Sequence, residues 1–283
     1  VSAGARPPIV YFGGKQTLAE RIVALLPEHL HYVEPYCGSL AVLLAKPASR
    51  METVNDLDRE LMTFWRVLRD RSEDLERVCA LTPHSRAEYD TVLNSAPPDD
   101  ELEVARRVWV RLAQGRGGQL RRTTGWRYFV GPRGSNLSMP GYLEAYRARL
   151  APCLDRLAQV TLECRPGLDV ITDYGQHDES LLYVDPPYLG DTRNWGNQYR
   201  HEMRDEASHR QLAEALHAAR AAVVLSGYPS PLYDELYAGW DRITIAARTS
   251  QGGTDGARTE VLWSNRPLGN APTLFEFSEK GAA

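Results

Sequence analysis

The stretch His31-Tyr32-Val33-Glu34-Pro35-Tyr36-Cys37-Gly38-Ser39-Leu40-Ala41-Val42-Leu43-Leu44-Ala45 reads as a strand, a glycine turn and a helix. His31 to Pro35 makes the short strand, Gly38 turns the chain, and the apolar run Leu40 to Ala45, ended by Pro47, makes the helix. Upstream, Leu18, Ile22, Leu25 and Leu26 recur at helical spacing between Gln16 and Pro27, so a helix follows Gly13-Gly14-Lys15. Downstream, Thr53 to Asn55 is a second short strand and Leu61 to Leu68 a further helix. Strand-like segments return at Val160 to Cys164, Leu181 to Asp185, Ala222 to Ser226, Arg242 to Ala246 and Glu260 to Trp263, with a helix from Asp205 to Arg220. Such alternation implies an α/β protein with a mainly parallel sheet covered on both faces. Ligands of such sheets bind at the carboxyl ends of the strands.

From Ser72 to Gln159 the pattern changes to amphipathic helices interrupted by a Gly, Arg, Thr and aromatic segment, Gly115 to Gly134. The expected organisation is a main domain of residues 1–71 and 160–283 with residues 72–159 inserted into it. With 283 residues and 43% apolar composition the chain can bury a full core. No apolar run is long enough for a bilayer, Val1 to Pro8 lacks the apolar core of a signal peptide, and Cys37, Cys79, Cys153 and Cys164 form no C-x-x-C pair. A cytoplasmic protein with reduced thiols, no structural metal and no membrane contact is expected. Net charge is −4, but Val104 to Leu143 holds Arg106, Arg107, Arg111, Arg116, Arg121, Arg122, Arg127 and Arg133 with no acid or lysine. That segment is +8 and the remainder −12, so a basic patch sits on an acidic protein.

Four clusters carry chemistry. In Leu181-Leu182-Tyr183-Val184-Asp185-Pro186-Pro187-Tyr188 an apolar strand ends in a carboxylate, two prolines and an aromatic ring. The prolines stiffen the turn, so the Pro186 carbonyl and the Asp185 carboxylate can converge on the two N–H donors of an aryl amine, with Tyr188 stacked on its ring. A plain proline turn with an N-capping Asp is the structural alternative. The second cluster is the Glu34 to Leu40 turn, where Gly38 permits close approach of a ligand to the backbone. In the third, Asn55-Asp56, a carboxylate at a strand end can accept from ribose hydroxyls or simply cap the next helix. The fourth is Tyr11-Phe12-Gly13-Gly14-Lys15, where Lys15 is one of three lysines against thirty arginines.

In this order the clusters resemble the Dam-like, D12 class of DNA adenine N6-methyltransferases, with an α-group motif order, over nearly the whole chain. Leu225-Ser226-Gly227-Tyr228 and Arg258-Thr259-Glu260-Val261-Leu262-Trp263 are similar to the family's closing strands. The resemblance implies a Rossmann-like S-adenosylmethionine-dependent methyltransferase sheet with an inserted, mainly helical target-recognition domain. It implies S-adenosylmethionine as cofactor and double-stranded DNA as partner, in a prokaryotic or phage-encoded enzyme. Tyr11, Gly14, Lys15, Glu34, Pro35, Cys37 and Gly38 would surround the methionine part of the cofactor and Asp56 its ribose. Asp185, Pro186, Pro187 and Tyr188 would be catalytic, with Asp185 also beside the cofactor. Where many members hold the cofactor adenine with an acid, this chain has Arg165 or Pro166, and Asp169 is the nearest substitute. Arg116, Arg121, Arg122, Arg127 and Arg133 would face DNA, in a region where the family places a DNA-reading hairpin; Gln114 to Arg122 would feed a hairpin over Thr123 to Val130.

The implied reaction is direct in-line displacement by a flipped-out adenine. Methylation of cytosine N4 or of adenine in RNA, and a catalytically dead DNA-binding module, are the alternatives. Cytosine C5 chemistry requires a nucleophilic cysteine, and Cys153 lies in the amphipathic stretch Leu150, Leu154 and Leu157, where a buried thiol is the simpler reading. Leu189 to Met203 is either a lid over the flipped base or an ordinary loop.

Overall fold

The computed structural model describes residues 4–120, 125–130, 138–188, 203, 205–247 and 258–269. Its centre is a seven-stranded sheet of β1 (His31–Glu34), β2 (Met51–Asn55), β3 (Thr161–Glu163), β4 (Ser180–Val184), β5 (Ala222–Gly227), β6 (Asp241–Ala247) and β7 (Arg258–Ser264). The spatial order is β3-β2-β1-β4-β5-β7-β6. Strands β3, β2, β1, β4 and β5 pair in parallel, and β7 runs antiparallel between β5 and β6. This is a doubly wound, Rossmann-like arrangement. The strand order turns outward on both sides of the β1/β4 pair, which places the ligand crevice at the carboxyl ends of those two strands.

Alternation along the strands explains why they read as continuous apolar runs. On β4, Leu181 and Tyr183 join one core while Leu182 and Val184 join the other; on β5, Ala222 and Val224 face the first and Val223 and Leu225 the second. The second core is closed by α9 (Gly167–Tyr174), α10 (Glu206–His217) and α11 (Pro231–Leu236). The first is closed by α1 (Ala19–Val23), α2 (Ala41–Ala45) and α3 (Arg59–Asp70). The stretch of residues 72–159, between α3 and β3, forms α4 (Ser72–Leu81), α5 (Arg86–Asn94), α6 (Glu101–Gln114), α7 (Met139–Arg147) and α8 (Leu150–Leu157). Its Leu75, Val108, Trp109 and Leu112 share one apolar cluster with Leu61, Phe64 and Trp65 of α3. The inserted helices therefore extend the core of the sheet's first face.

Helix α1 is shorter than its apolar spacing suggests, and Met51 and Glu52 lengthen β2 beyond Thr53–Asn55. After α6, Gly115 and Trp126 form an antiparallel bridge, with Arg116 N donating to Gly125 O and Arg127 N to Gln114 O. Of the hairpin expected over Thr123 to Val130, residues 123 and 124 lie outside the described residues, as does most of the Leu189 to Met203 stretch. Cys153 is buried in α8, its thiol pushed up to about 12 by desolvation, which leaves no thiolate for nucleophilic attack. No helix among the described residues is long and apolar enough to cross a membrane.

Candidate active site

Residues separated in sequence by up to two hundred positions line one cleft at the carboxyl ends of β1, β2 and β4. Tyr11, Gly14, Lys15, Glu34, Pro35, Cys37, Gly38, Asp56, Asp185 and Pro187 all line it. Asp169 does not: it is exposed on the first turn of α9, and Pro166, Gly167 and Leu168 border the cleft instead. Pro186 and Tyr188 are buried behind the lining.

The β1 end is built by strand periodicity. Tyr32 and Glu34 point to the same face, so the Tyr32 hydroxyl donates to Glu34 Oε1 at 2.6 Å, and Leu43 N of α2 donates to the same oxygen at 3.2 Å. Glu34 Oε2 has no hydrogen-bond partner among the described residues. Burial raises the Glu34 carboxyl to about 8, the bonds from Tyr32 and Leu43 opposing the shift. A buried carboxylate oxygen left open on a cleft wall suits a cationic ligand group.

The turn that follows is backbone-driven. Gly38 has φ 46°, and a Cβ there would meet the Tyr11 ring at 3.1 Å. Leu40 holds φ 57°, a left-handed conformation costly for a branched residue. Three bonds fix this turn: Trp65 Nε1 to Gly38 O at 3.0 Å, Gly38 N to Asp56 Oδ2 at 3.1 Å, and Cys37 N to Asn55 O at 2.8 Å. Asn55 also ties three strand ends together, donating to Pro35 O and Arg165 O and accepting from Arg165 N. Capping of α3 falls to Asp58, which accepts from Glu60 N and Leu61 N. Asp56 is thus no helix cap; burial raises its carboxyl to about 6. Leu57 beside it is 40% exposed and lines the cleft, an apolar surface for a ring.

At the β4 end, Lys15 Nζ lies 2.8 and 2.7 Å from the two Asp185 oxygens and 3.0 Å from Gly13 O. Tyr188 is 7% exposed, its ring edge-on to Tyr228 at 4.5 Å and its hydroxyl turned inward, 2.9 Å from Asp185 Oδ1 and 2.6 Å from Glu260 Oε1. The sequence predicts a stacking platform in this ring, yet its polar tip is what reaches the site. Sequence reasoning misses Glu260, Ser208 and Gln211, although Ser208 and Gln211 of α10 line the cleft. The available signal for Glu260 is an acid beside the apolar strand residues Val261-Leu262-Trp263.

The insertion's arginines divide. Arg106 pairs with Glu103 and Glu88, Arg107 with Glu103, and Arg111 with Glu60. Arg127 donates to Gly115 O and Arg116 O, bracing the bridged segment. Arg116 and Arg86 are exposed and lie over aromatic faces: Arg116 over Tyr128 at 5.1 Å, Arg86 over Trp126 at 4.7 Å and Tyr128 at 5.3 Å. His84 stacks on Trp126 at 4.3 Å. Arg121, Arg122 and Arg133 lie outside the described residues.

Residues 11–96 match the family of D12 class N6 adenine-specific DNA methyltransferases. The chain is 28% identical over 278 residues to the type II methyltransferase M1.LlaDCHI of Lactococcus lactis subsp. cremoris, covering 92% of this chain and 95% of that protein. Among solved structures, two of the rRNA methyltransferase AviRa from Streptomyces viridochromogenes align over 87% of this chain and 81% of that one, at 15% identity and a TM-score of 0.34.

Proposed function

We propose that the chain is a D12 class N6 adenine-specific DNA methyltransferase and that S-adenosylmethionine is its methyl donor, bound in the β1/β2/β4 cleft. The observation that carries this reading is the open Glu34 Oε2 sharing one cleft with Asp56 and Asp185. Glu34 would hold the donor's ammonium, Asp56 its ribose hydroxyls, and Leu57, Tyr36 and Leu168 would flank its purine. When bound, the donor would supply a sulfonium methyl to adenine N6, with S-adenosylhomocysteine as the leaving thioether.

Asp185 would accept a hydrogen bond from the N6 amine and stabilise the positive charge it gains. Lys15 keeps Asp185 aligned and, with Pro187, bounds the space beside it. The target base is inaccessible in a duplex, so double-stranded DNA would deliver it flipped out. The exposed face of Arg116, Arg86, Trp126 and Tyr128, together with Arg121, Arg122 and Arg133, would contact the DNA.

Asp185→Ala is expected to abolish transfer of labelled methyl to adenine-containing duplexes while S-adenosylhomocysteine still binds by calorimetry. Wild-type turnover in that variant would overturn the assignment. Product analysis on cytosine-only duplexes and on RNA tests the alternative acceptors, and N6-methyladenine in duplex DNA is the expected product.

A further inference from the structure

We infer that Glu260 is a positioning residue for methyl transfer: it holds a proton, donates it in a hydrogen bond to Tyr188, and so turns the Tyr188 hydroxyl onto Asp185. This role rests on the assignment of Asp185 as the amine acceptor. Its ground is a count of protons. Asp185 Oδ1, Tyr188 Oη and Glu260 Oε1 stand in a row at 2.9 and 2.6 Å. Two hydrogen bonds among three oxygens need two protons, and a tyrosine supplies one. One of the carboxyl groups must supply the other.

The surroundings say which. Lys15 Nζ touches both Asp185 oxygens but stands 3.8 Å from Glu260 Oε1, so Asp185 is the carboxylate of the ion pair. Ser226 Oγ donates to Glu260 Oε1 at 2.6 Å. A carboxyl O–H oxygen accepts one hydrogen bond and donates one, which matches Ser226 on one side and Tyr188 on the other. Glu260 is 4% exposed on β7, and burial raises its carboxyl above the ordinary value. The titratable groups facing it are Lys15, Asp185 and Tyr188 from the two turns and Tyr183 from β4; β5 offers Ser226 and β6 pairs Ile245 with it.

In this polarity the hydrogens of the row point toward Asp185, and with Lys15 they fix the carboxylate while leaving lone pairs for the amine. When Glu260 loses its proton at alkaline pH, Tyr188 turns its hydrogen to Glu260. A second anion then stands beside Lys15 and competes with Asp185 for it. Turnover should fall along an alkaline limb set by Glu260.

Two measurements on the full chain test this. In infrared difference spectra of the unliganded protein across a pH titration, a protonated-carboxyl band should disappear at alkaline pH and be missing from Glu260→Gln. Glu34 gives a second such band, identified by its loss in Glu34→Gln. In pH profiles of kcat, Glu260→Gln, whose amide still donates to Tyr188, should retain most turnover below neutral pH and lose the alkaline limb. Glu260→Ala should lose about 10- to 100-fold in kcat, the scale of a missing hydrogen bond to a charged group. Tyr188→Phe, which breaks the row at its centre, should also lack the limb. If Glu260→Gln removes no infrared band, or keeps the wild-type alkaline limb, the inference is overturned. Both outcomes are separable from failure of the Asp185 assignment, which wild-type-like turnover of Asp185→Ala would reveal.

Discussion

Glu34 ends β1 with one oxygen bonded by Tyr32 and Leu43 and the other buried without a hydrogen-bond partner among the described residues. Its carboxyl titrates near 8 when folded against an ordinary 4.5, so it contributes stability that is full below 4.5 and lost as pH rises to about 8. A ligand ammonium reverses that preference, because it needs the carboxylate. Donor binding at neutral pH should therefore expel a proton. Asp56, raised to about 6, is mostly ionised by pH 7, so a slope between pH 7 and 8 belongs to Glu34. S-adenosylhomocysteine affinity should climb with pH toward a ceiling of about tenfold per unit below 8 and level off above it. Calorimetry in two buffers of different ionisation enthalpy counts the proton directly. Identical heats in both buffers, or an unchanged slope in Glu34→Gln, would remove Glu34 from the ammonium site. Asp56→Ala should weaken the same ligand by about 1.5–3 kcal/mol, the scale of a charge-assisted hydrogen bond. Because Asp56 also holds Gly38 N, part of that loss would come from loosening the turn.

At the scale of elements, the cleft depends on how the insertion is fastened to the loop carrying Tyr11 and Lys15. Phe12 N donates to Gly118 O at 2.8 Å, and Gly118 has φ 61° with Val10 O and Phe12 N 3.0 and 3.2 Å from where a Cβ would stand. Gly118→Ala should cost at least about 1–2 kcal/mol in urea denaturation, since both the dihedral and the crowding by backbone oppose a side chain. At Gly239 a Cβ would meet nothing within 4 Å, so Gly239→Ala gives a control expected within about 0.5 kcal/mol. Equal effects at the two glycines would mean that the junction is not tight. The strand–turn–helix of residues 31–45 and the Asp185 turn are legible in the sequence because apolar strands ending in Gly, Pro or a carboxylate are strong local signals. Helix α9 is not, because it opens on Pro166-Gly167, which reads as a loop. Gly167 stands there because a Cβ would meet the Tyr36 ring at 2.6 Å, a proximity between distant segments that no local pattern records. Glu260 escapes for the same reason, since its partners Lys15, Tyr188 and Ser226 converge only in the folded sheet.

For the whole molecule, the question is which positive charge remains available on a chain whose net charge is −4. The eight-arginine segment reads as unpaired because it contains no acid, yet Glu103 stands just before it and Glu60 and Glu88 arrive from α3 and α5. Arg106, Arg107 and Arg111 are thereby neutralised within the fold. Among the described residues beside this segment, Arg86 and Arg116 present exposed charge on their aromatic faces, with Arg121, Arg122 and Arg133 nearby in sequence. Phosphates bound there should set the salt dependence of DNA binding. Arg86→Glu combined with Arg116→Glu should weaken duplex binding and lower the slope of log K against log salt by roughly 0.9 for each phosphate no longer neutralised, with S-adenosylhomocysteine affinity unchanged. Reversing Arg121 and Arg122 should act in the same direction. Arg106→Gln is the counterpart: it strands Glu88, leaves Glu103 to Arg107 alone, and should cost about 1–3 kcal/mol of stability while leaving the salt slope alone. Should the Arg106 variant flatten the slope while both reversals leave it intact, DNA would have to approach along α6 instead of the Trp126–Tyr128 face.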